Sequence, residues 1–208
     1  MNSLIRRFAS IGSVLAYCAM LSMNACSTTD GQPTTTIVVD SIVYTSVEAL
    51  ARQADVVLLG LAGRLTERFT DNGGDPVNPE MPGLLQAFRV ERVMKGGSEI
   101  AVGSDVSLVL HDNDKLPAND NVRPDAGSRV LLFLRRASGP ANGRQVPALL
   151  PVSGGNGIFD VAADSTTTPR SGRVRAITES DARADMTWLE PRVFVLDDID
   201  RFLQQRAG

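Results

Sequence analysis

Cysteine and histidine are nearly missing from this chain. Its 208 residues include only two cysteines, Cys18 and Cys26, and one histidine, His111. Cys18 lies inside an apolar N-terminal run and Cys26 directly follows it, so residues 27–208 contain no thiol. A cysteine nucleophile, an internal disulfide and a zinc site built from thiolates are therefore excluded for that part of the chain.

Lysine is also scarce, because only Lys95 and Lys115 occur among the 21 basic residues. Arg6 and Arg7 are the only charged residues of the first 25, which leaves 19 basic and 24 acidic residues in the remainder. Binding to a phosphate backbone requires clustered cations. We therefore expect no nucleic-acid partner for this mildly acidic domain.

The N-terminus has the layout of a secretory signal peptide. Arg6 and Arg7 precede an uncharged, mostly apolar run over residues 8–23, and small Ala25 stands before Cys26. This pattern resembles a bacterial lipobox, in which the cysteine thiol receives a diacylglycerol and the cysteine becomes the acylated N-terminus. The alternative is an uncleaved anchor, since residues 8–25 just reach the length of about 17–25 residues that a membrane span requires.

Three segments follow from this layout. Residues 1–25 form the leader, and residues 26–40, which include the threonine-rich stretch STTDGQPTTT, form a flexible tether. Residues 41–208 form a single domain, large enough to fold without a metal or a disulfide. We expect this domain to be exported and held at a membrane, cell or outer, facing away from the cytoplasm.

Residues 41–208 carry more strand signals than helix signals. Thr45 and Glu48 have capping-box spacing and predict a helix start, and Asp197 is predicted to cap a C-terminal helix over residues 197–206. A short helix is predicted over residues 178–184. Alternating or continuous apolar residues predict a lead-in strand over residues 37–44 and six further strands over residues 55–69, 84–94, 105–111, 128–136, 145–152 and 157–161.

The fold class that we predict is mainly β: a small antiparallel barrel of the OB type, with one N-terminal and one C-terminal helix. An open sandwich is the structural alternative. Gly60 and Gly63 are predicted to mark a bend or bulge in the first long strand. The continuous apolar runs over residues 56–59 and 130–134 predict strands buried on both faces.

Three short motifs resemble a recurring domain of exported bacterial proteins: Ala54-Asp55-Val56-Val57, Val93-Met94-Lys95-Gly96, and residues 127–134, GSRVLLFL. Over residues 47–159 the pattern is also similar to the OB-fold barrel of the tissue inhibitors of metalloproteinases and of netrin-like modules. This resemblance implies a fold and not an activity. The zinc-chelating cysteine of those inhibitors has no counterpart, because Cys26 is expected to be lipidated and no cysteine remains to pin it to the barrel.

Two polar segments are the candidate binding regions: the first loop, residues 70–83, and the second loop, residues 112–127. Oxygen-rich side chains in the second loop are weak candidates for a metal, calcium above all, although their spacing does not match an EF-hand. His111 at its start is a further weak candidate ligand. The metal candidates are Asp112, Asp114 and Asp120, and the proposed binding residues are Asp71, Asn72, Asp75, His111, Asp112, Asn113 and Asp114.

The segment Ser153-Gly154-Gly155-Asn156-Gly157 looks like a nucleophile or phosphate loop, but no G-x-S-x-G pattern and no Walker lysine accompany it. A turn between strands is the favoured interpretation. Trp188 and Phe194 are predicted to pack the C-terminal segment onto the barrel.

Three functions remain open at this point. The leading hypothesis is a tethered, non-catalytic module that binds another envelope component through its loops and needs no cofactor. The second is a hydrolase that uses carboxylates or a divalent ion, which predicts a pocket gathering Asp or Glu side chains from separate strands. The third is a structural spacer.

Overall fold

The computed structural model describes residues 43–71, 81–111, 123–141, 144–184 and 192–207. The chain divides into two units, Met1–Val39 and Asp40–Gly208, and every described residue belongs to the second. The predicted leader, tether and Cys26, the lead-in strand before residue 43, and Trp188 lie outside the described residues. Among the described helices, none is both long enough and apolar enough to cross a membrane.

The described residues form one eight-stranded sheet and three α-helices. The strands are β1 (Val56–Asp71), β2 (Met81–Lys95), β3 (Asp105–His111), β4 (Arg129–Ala141), β5 (Arg144–Pro151), β6 (Ile158–Val161), β7 (Thr166–Pro169) and β8 (Phe194–Val195). The helices are α1 (Val47–Gln53), α2 (Glu179–Ala184) and α3 (Leu196–Ala207). The prediction of a mainly β domain is confirmed.

Five of the strands are hydrogen-bonded in a closed circuit, which we call the ring. β1 pairs with β2, β2 with β3, β4 with β5 and β4 with β1, all antiparallel, while β3 and β5 are parallel at Leu108 and Leu149. β6 pairs with the start of β4 on the edge that faces away from β1 and carries β5 further along, and β7 and β8 continue the sheet from β6. Because the ring strands pair on both sides along part of their length, most of their edges are covered.

β1 joins the ring because its first half pairs with two strands at once. Residues 56–61 pair with β4, while the whole strand pairs with β2. The pairing with β2 shifts register at Leu59/Gly60 and again between Ala62 and Leu65. A Cβ at Gly60 would overlap the carbonyl oxygen of Arg89. The predicted bulge at Gly60 and Gly63 is therefore confirmed, and Gly60 allows the close backbone approach.

Two apolar clusters stabilise the fold. The first fills the ring with alternate residues of all five of its strands, including Val56, Leu58, Phe88, Leu108 and Leu132, together with Ile158 of β6. The second lies on the outer face, where Val57, Leu59, Leu131, Phe133 and Phe159 pack against the helices. Each fully buried Leu or Phe contributes about 1.5–3 kcal/mol. The predicted burial of both faces is confirmed for residues 56–59 of β1 and 130–134 of β4.

Helix α1 starts one residue later than its capping box predicts. Ser46, and not Thr45, is the N-cap, and its Oγ accepts a hydrogen bond from Ala49 N at 3.1 Å. The carbonyl of Thr45 accepts from Arg175 N, so this residue belongs to the preceding extended segment. Glu48 does not fold back onto the cap, because its carboxylate accepts hydrogen bonds from Glu179 N and from Arg206.

The C-terminal helix also differs by one residue from the prediction. α3 begins at Leu196, so Asp197 lies in its first turn and is not the cap. Strand β8 fixes this start, since Phe194 pairs with Thr167 and Leu196 N donates to Ser165 O. Ile199 and Leu203 are buried in the outer cluster, and the predicted packing of Phe194 is confirmed.

The long hairpin of β1 and β2 exceeds its predicted length. The first loop was expected to begin at residue 70 and end at 83, but Thr70 pairs with Pro82 and Asp71 with Met81. Proline and glycine in this segment suggested a loop, yet pairing with the facing strand extends both strands to residues 71 and 81. β4 likewise continues to Ala141, beyond the predicted end at Arg136.

Candidate functional site

The strand register places the ends of β1 and β3, after which the two candidate loops begin, at one end of the ring. On β2, Gly83 pairs with Phe69 of β1 on one side and with His111 of β3 on the other. β1 and β3 both run towards this end, so the chain leaves the ring there after Asp71 and after His111. The two loops, which are remote in sequence, therefore start from β1 and β3, the two strands that flank β2.

Most of the predicted site residues lie beyond these strand ends. Asn72, Asp75, Asp112, Asn113, Asp114 and Asp120 are outside the described residues. Asp71 and His111 are the last residues of β1 and β3. Where the chain is described, no group of three or more His, Cys, Asp or Glu side chains is close enough to hold a metal ion.

At this end, the side chain of Phe69 packs the ends of β1 and β2 together. Phe69 is only 7% exposed, and a Cβ added to Gly83 would overlap its ring. Glycine at this position lets the Phe69 ring lie directly on the backbone of β2. The ends of β1 and β2 are thus packed together where the first loop begins and ends.

Gln86 joins the ring to the second loop, and the sequence analysis did not identify it. Its side chain is buried within the apolar row of β2, between Leu84 and Phe88. Its Nε2 donates to Gly63 O at 3.0 Å and to Pro124 O at 2.9 Å. The signal that would have found it is a single polar residue in an otherwise apolar alternating row.

Arg170, which directly follows β7, fixes the same part of the second loop. Its Nη1 donates to Arg123 O at 2.7 Å, while Nε and Nη2 donate to Asp160 Oδ1 at 3.1 and 2.8 Å. Gly127 N then donates to Ala62 O at 2.7 Å. The last residues of the second loop are therefore bound to β1, β2 and the turn after β7.

The first two motifs of the exported-domain resemblance meet the last residue of the third, Leu134, at the opposite end of the ring. Lys95 Nζ donates to Ala51 O and Ala54 O at 2.5 and 2.7 Å, which satisfies carbonyls at the end of α1. Asp55 N donates to Leu134 O, and Asp55 Oδ2 accepts from Arg136 N at 2.8 Å. These contacts close the seam between β1, β2 and β4.

A shallow open groove lies beside this seam. It is lined by Asp55, the turn after β2 and Arg136, which forms an ion pair with Glu99. Since the guanidinium and both carboxylates already have partners within the groove, it is an unconvincing site for acid–base chemistry. Arg135 and Arg136 are both exposed to solvent.

An exposed ion pair joins β2 and β3 on their outer face. Arg89 and Asp105 are direct cross-strand partners, and Arg89 Nε and Nη2 donate to Asp105 Oδ1 and Oδ2 at 2.5 and 2.9 Å. These hydrogen bonds lower the pKa of Asp105 and raise the pKa of Arg89. Similarly, hydrogen bonds from Thr166 lower the pKa of Asp164. These exposed groups are ordinary ionised surface residues.

The glycine-rich segment before β6 is a structural turn. Gly154–Gly157 form a 3-10 turn, and Gly155, Asn156 and Gly157 are buried. Asn156 Nδ2 lies 3.2 Å from Ser153 Oγ, to which it donates. A Cβ at Gly157 would be 2.7 Å from Phe133 O, so the turn packs closely on β4. The interpretation as a turn between strands is confirmed.

Comparison with known proteins adds no relative to this description. Neither a scan against protein-family models nor a search of curated proteins gave a match for this chain.

Proposed function

We propose that this chain is an exported lipoprotein whose folded domain is a non-catalytic binding module of the bacterial envelope. Lipidation of Cys26 would anchor it to the membrane, and residues 27–40 would tether the domain outside the cytoplasm. The positive n-region, the apolar run and the cysteine that follows it support this address. The partner that we propose is another envelope component.

We also propose that the ring is an OB-like barrel, related in fold to the netrin-like modules. A closed barrel requires its strands to tilt and their register to stagger. Following cross-strand partners once around the ring from Leu65 does not lead back to Leu65. The path passes through Gln86, Leu108, Leu149 and Arg136, and it ends beside Asp55. Such a stagger supports the barrel assignment.

Binding through the loops follows from how the ring is filled. Phe88, Leu108 and Leu132 are fully buried inside it, so its interior is packed with side chains rather than shaped to hold a ligand. The observation that carries the proposal is the pairing of Gly83 with both Phe69 and His111, because the strand ends from which the two loops start then lie at the same end of the ring. OB-type barrels commonly bind through loops at the barrel mouth.

The composition of the two loops indicates the partner's charge. Together they contain seven acidic residues, Asp71, Asp75, Glu80, Asp112, Asp114, Asp120 and Asp125, against two basic residues, Lys115 and Arg123. An acidic surface attracts a complementary cationic one, and the attraction weakens with salt. We therefore propose that the partner is basic where it contacts this domain.

The test is in-cell photo-crosslinking of the full-length protein from position 76 of the first loop and position 118 of the second. We expect both positions to give the same crosslinked adduct. Neutralising Asp112, Asp114 and Asp120 to Asn should reduce it about tenfold, and moderate salt on isolated membranes should reduce it further. Position 142, in the connection between β4 and β5 at the other end of the ring, is the matched control and should give no such adduct.

Equal adduct yield from positions 76, 118 and 142 would contradict a loop-specific interface. An adduct unaffected by neutralisation would contradict the proposed charge of the partner.

A further inference from the structure

A buried amide interrupts the apolar row of β2 that faces the inside of the ring. Leu84, Phe88 and Val90 belong to the inner cluster, but Gln86 lies between them with only 2% of its surface exposed. Burying an amide costs free energy unless hydrogen bonds replace those lost to water. This residue therefore requires a structural explanation.

The side chain of Gln86 forms hydrogen bonds to two backbone segments, one at Gly63 and one at Pro124, which do not pair with each other. Carbonyl oxygens only accept, so the bonds to Gly63 O and Pro124 O both come from the Nε2 end of the amide. Pro124 has no N–H and contributes no donor to a ladder with β1. Gln86 thus supplies a side-chain link between β1 and the chain ahead of β4.

The adjacent carbonyl is held independently. Arg170 donates to Arg123 O, and its guanidinium is oriented by Asp160 on β6. The Arg170 side chain is 18% exposed, so this link is partly shielded from water. Two consecutive carbonyls of the second loop are therefore bound by side chains from two separate elements.

We propose that Gln86 and Arg170 are positioning residues that fix the stem, residues 123–128, on which the second loop returns to the ring. The stem's own backbone bonds, from Gly127 N to Ala62 O and from Ala62 N to Ser128 O, continue the same attachment to β1. The consequence for binding rests on the proposed function, since it assumes that the second loop contacts the partner. The attachment of the stem to β1 does not depend on the proposed function.

Hydrogen exchange on the full-length protein in detergent micelles tests the attachment. Gln86→Met removes both amide bonds at similar volume, and Arg170→Gln removes the guanidinium. In each variant we expect the Gly127 amide to exchange roughly tenfold faster or more, while β3 amides stay within about twofold of the wild type. Ile158→Val, in the same inner cluster, is the control and should not single out Gly127.

Unchanged exchange of Gly127 in both variants would overturn the proposal, and so would an acceleration of equal size throughout β2 and β3. If Gln86→Met fails to fold, Arg170→Gln alone decides, because its side chain is outside the ring interior. Crosslinking from position 118 in the same variants separates the two ideas. Faster exchange at Gly127 with an unchanged adduct would uphold the positioning role and show that contact with the partner does not require a fixed stem.

Discussion

At the scale of single residues, Gly96 shows how one position closes the seam between β1 and β2. Its φ is +60°, and a Cβ there would overlap Asp55 O. We expect Gly96→Ala to destabilise the domain by about 2 kcal/mol or more, since a left-handed alanine costs about 1–2 kcal/mol before any overlap. Urea unfolding followed by circular dichroism measures the loss.

Gly103 provides the matched control for that substitution. Its φ is +83°, but no atom lies within 4 Å of an added Cβ. Gly103→Ala should therefore lose only the backbone term of about 1–2 kcal/mol. Equal losses for the two substitutions would show that the approach of Gly96 to Asp55 is unimportant.

Asp105 gives a pH dependence with a definite sign. Hydrogen bonds from Arg89 lower its pKa in the folded state, so the charged form is favoured by folding. This stabilisation is present above the ordinary aspartate pKa of about 3.9 and is lost as pH falls through the lower folded pKa. We expect the urea midpoints of the wild type and Asp105→Asn to differ at neutral pH and low salt, and to converge on acidification.

Because both side chains of this pair are more than half exposed, the difference in midpoint should be small and should shrink with salt. A difference that stays constant down to about pH 2 would contradict an origin in the Asp105 carboxylate.

Residues that act within one strand or helix were accessible from the sequence, whereas residues that act across the fold were not. The burial of residues 130–134 follows from their continuous apolar run. The roles of Glu48 and Gln86 depend on partners far along the chain, Arg206 and Pro124. Nothing in local spacing encodes such contacts, so the Thr45–Glu48 capping box was the natural but incorrect interpretation.

At the scale of elements, α3 stabilises the outer face of the sheet. Ile199 is fully buried and Leu203 is 3% exposed in the outer cluster. We expect Ile199→Ala to destabilise the domain by about 2–5 kcal/mol, because it removes buried methyl groups and leaves a cavity. Urea unfolding of this variant beside Gln204→Ala, on the exposed side of α3, measures the effect.

Gln204→Ala should change stability by no more than about 0.5 kcal/mol. If Ile199→Ala is equally mild, α3 is a peripheral helix rather than part of the fold's core.

The strands show where periodicity is informative and where it is not. β3 was predicted with its observed bounds because Val106, Leu108 and Leu110 alternate clearly. β1 and β2 are longer than predicted because residues 70–83 have the composition of a loop, while their pairing across the hairpin extends both strands. The two-residue β8 exists through its pairing with β7, which no local pattern specifies.

At the scale of the whole molecule, the fold of the described residues and the proposed location at a membrane are separate questions. A filled ring with two acidic loops at one end suits a binding module in any compartment. The attachment to a membrane that we propose for it depends on the chemistry of Cys26 alone.

The most direct test of this account compares the wild type with Cys26→Ser by membrane fractionation and by intact mass of the mature N-terminus. For the wild type we expect a chain that begins at Cys26, carries a diacylglycerol and an amide-linked acyl group, and sediments with membranes. Cys26→Ser should lack these groups and should not show this processing. Identical N-termini and identical membrane association for the two proteins would contradict the account.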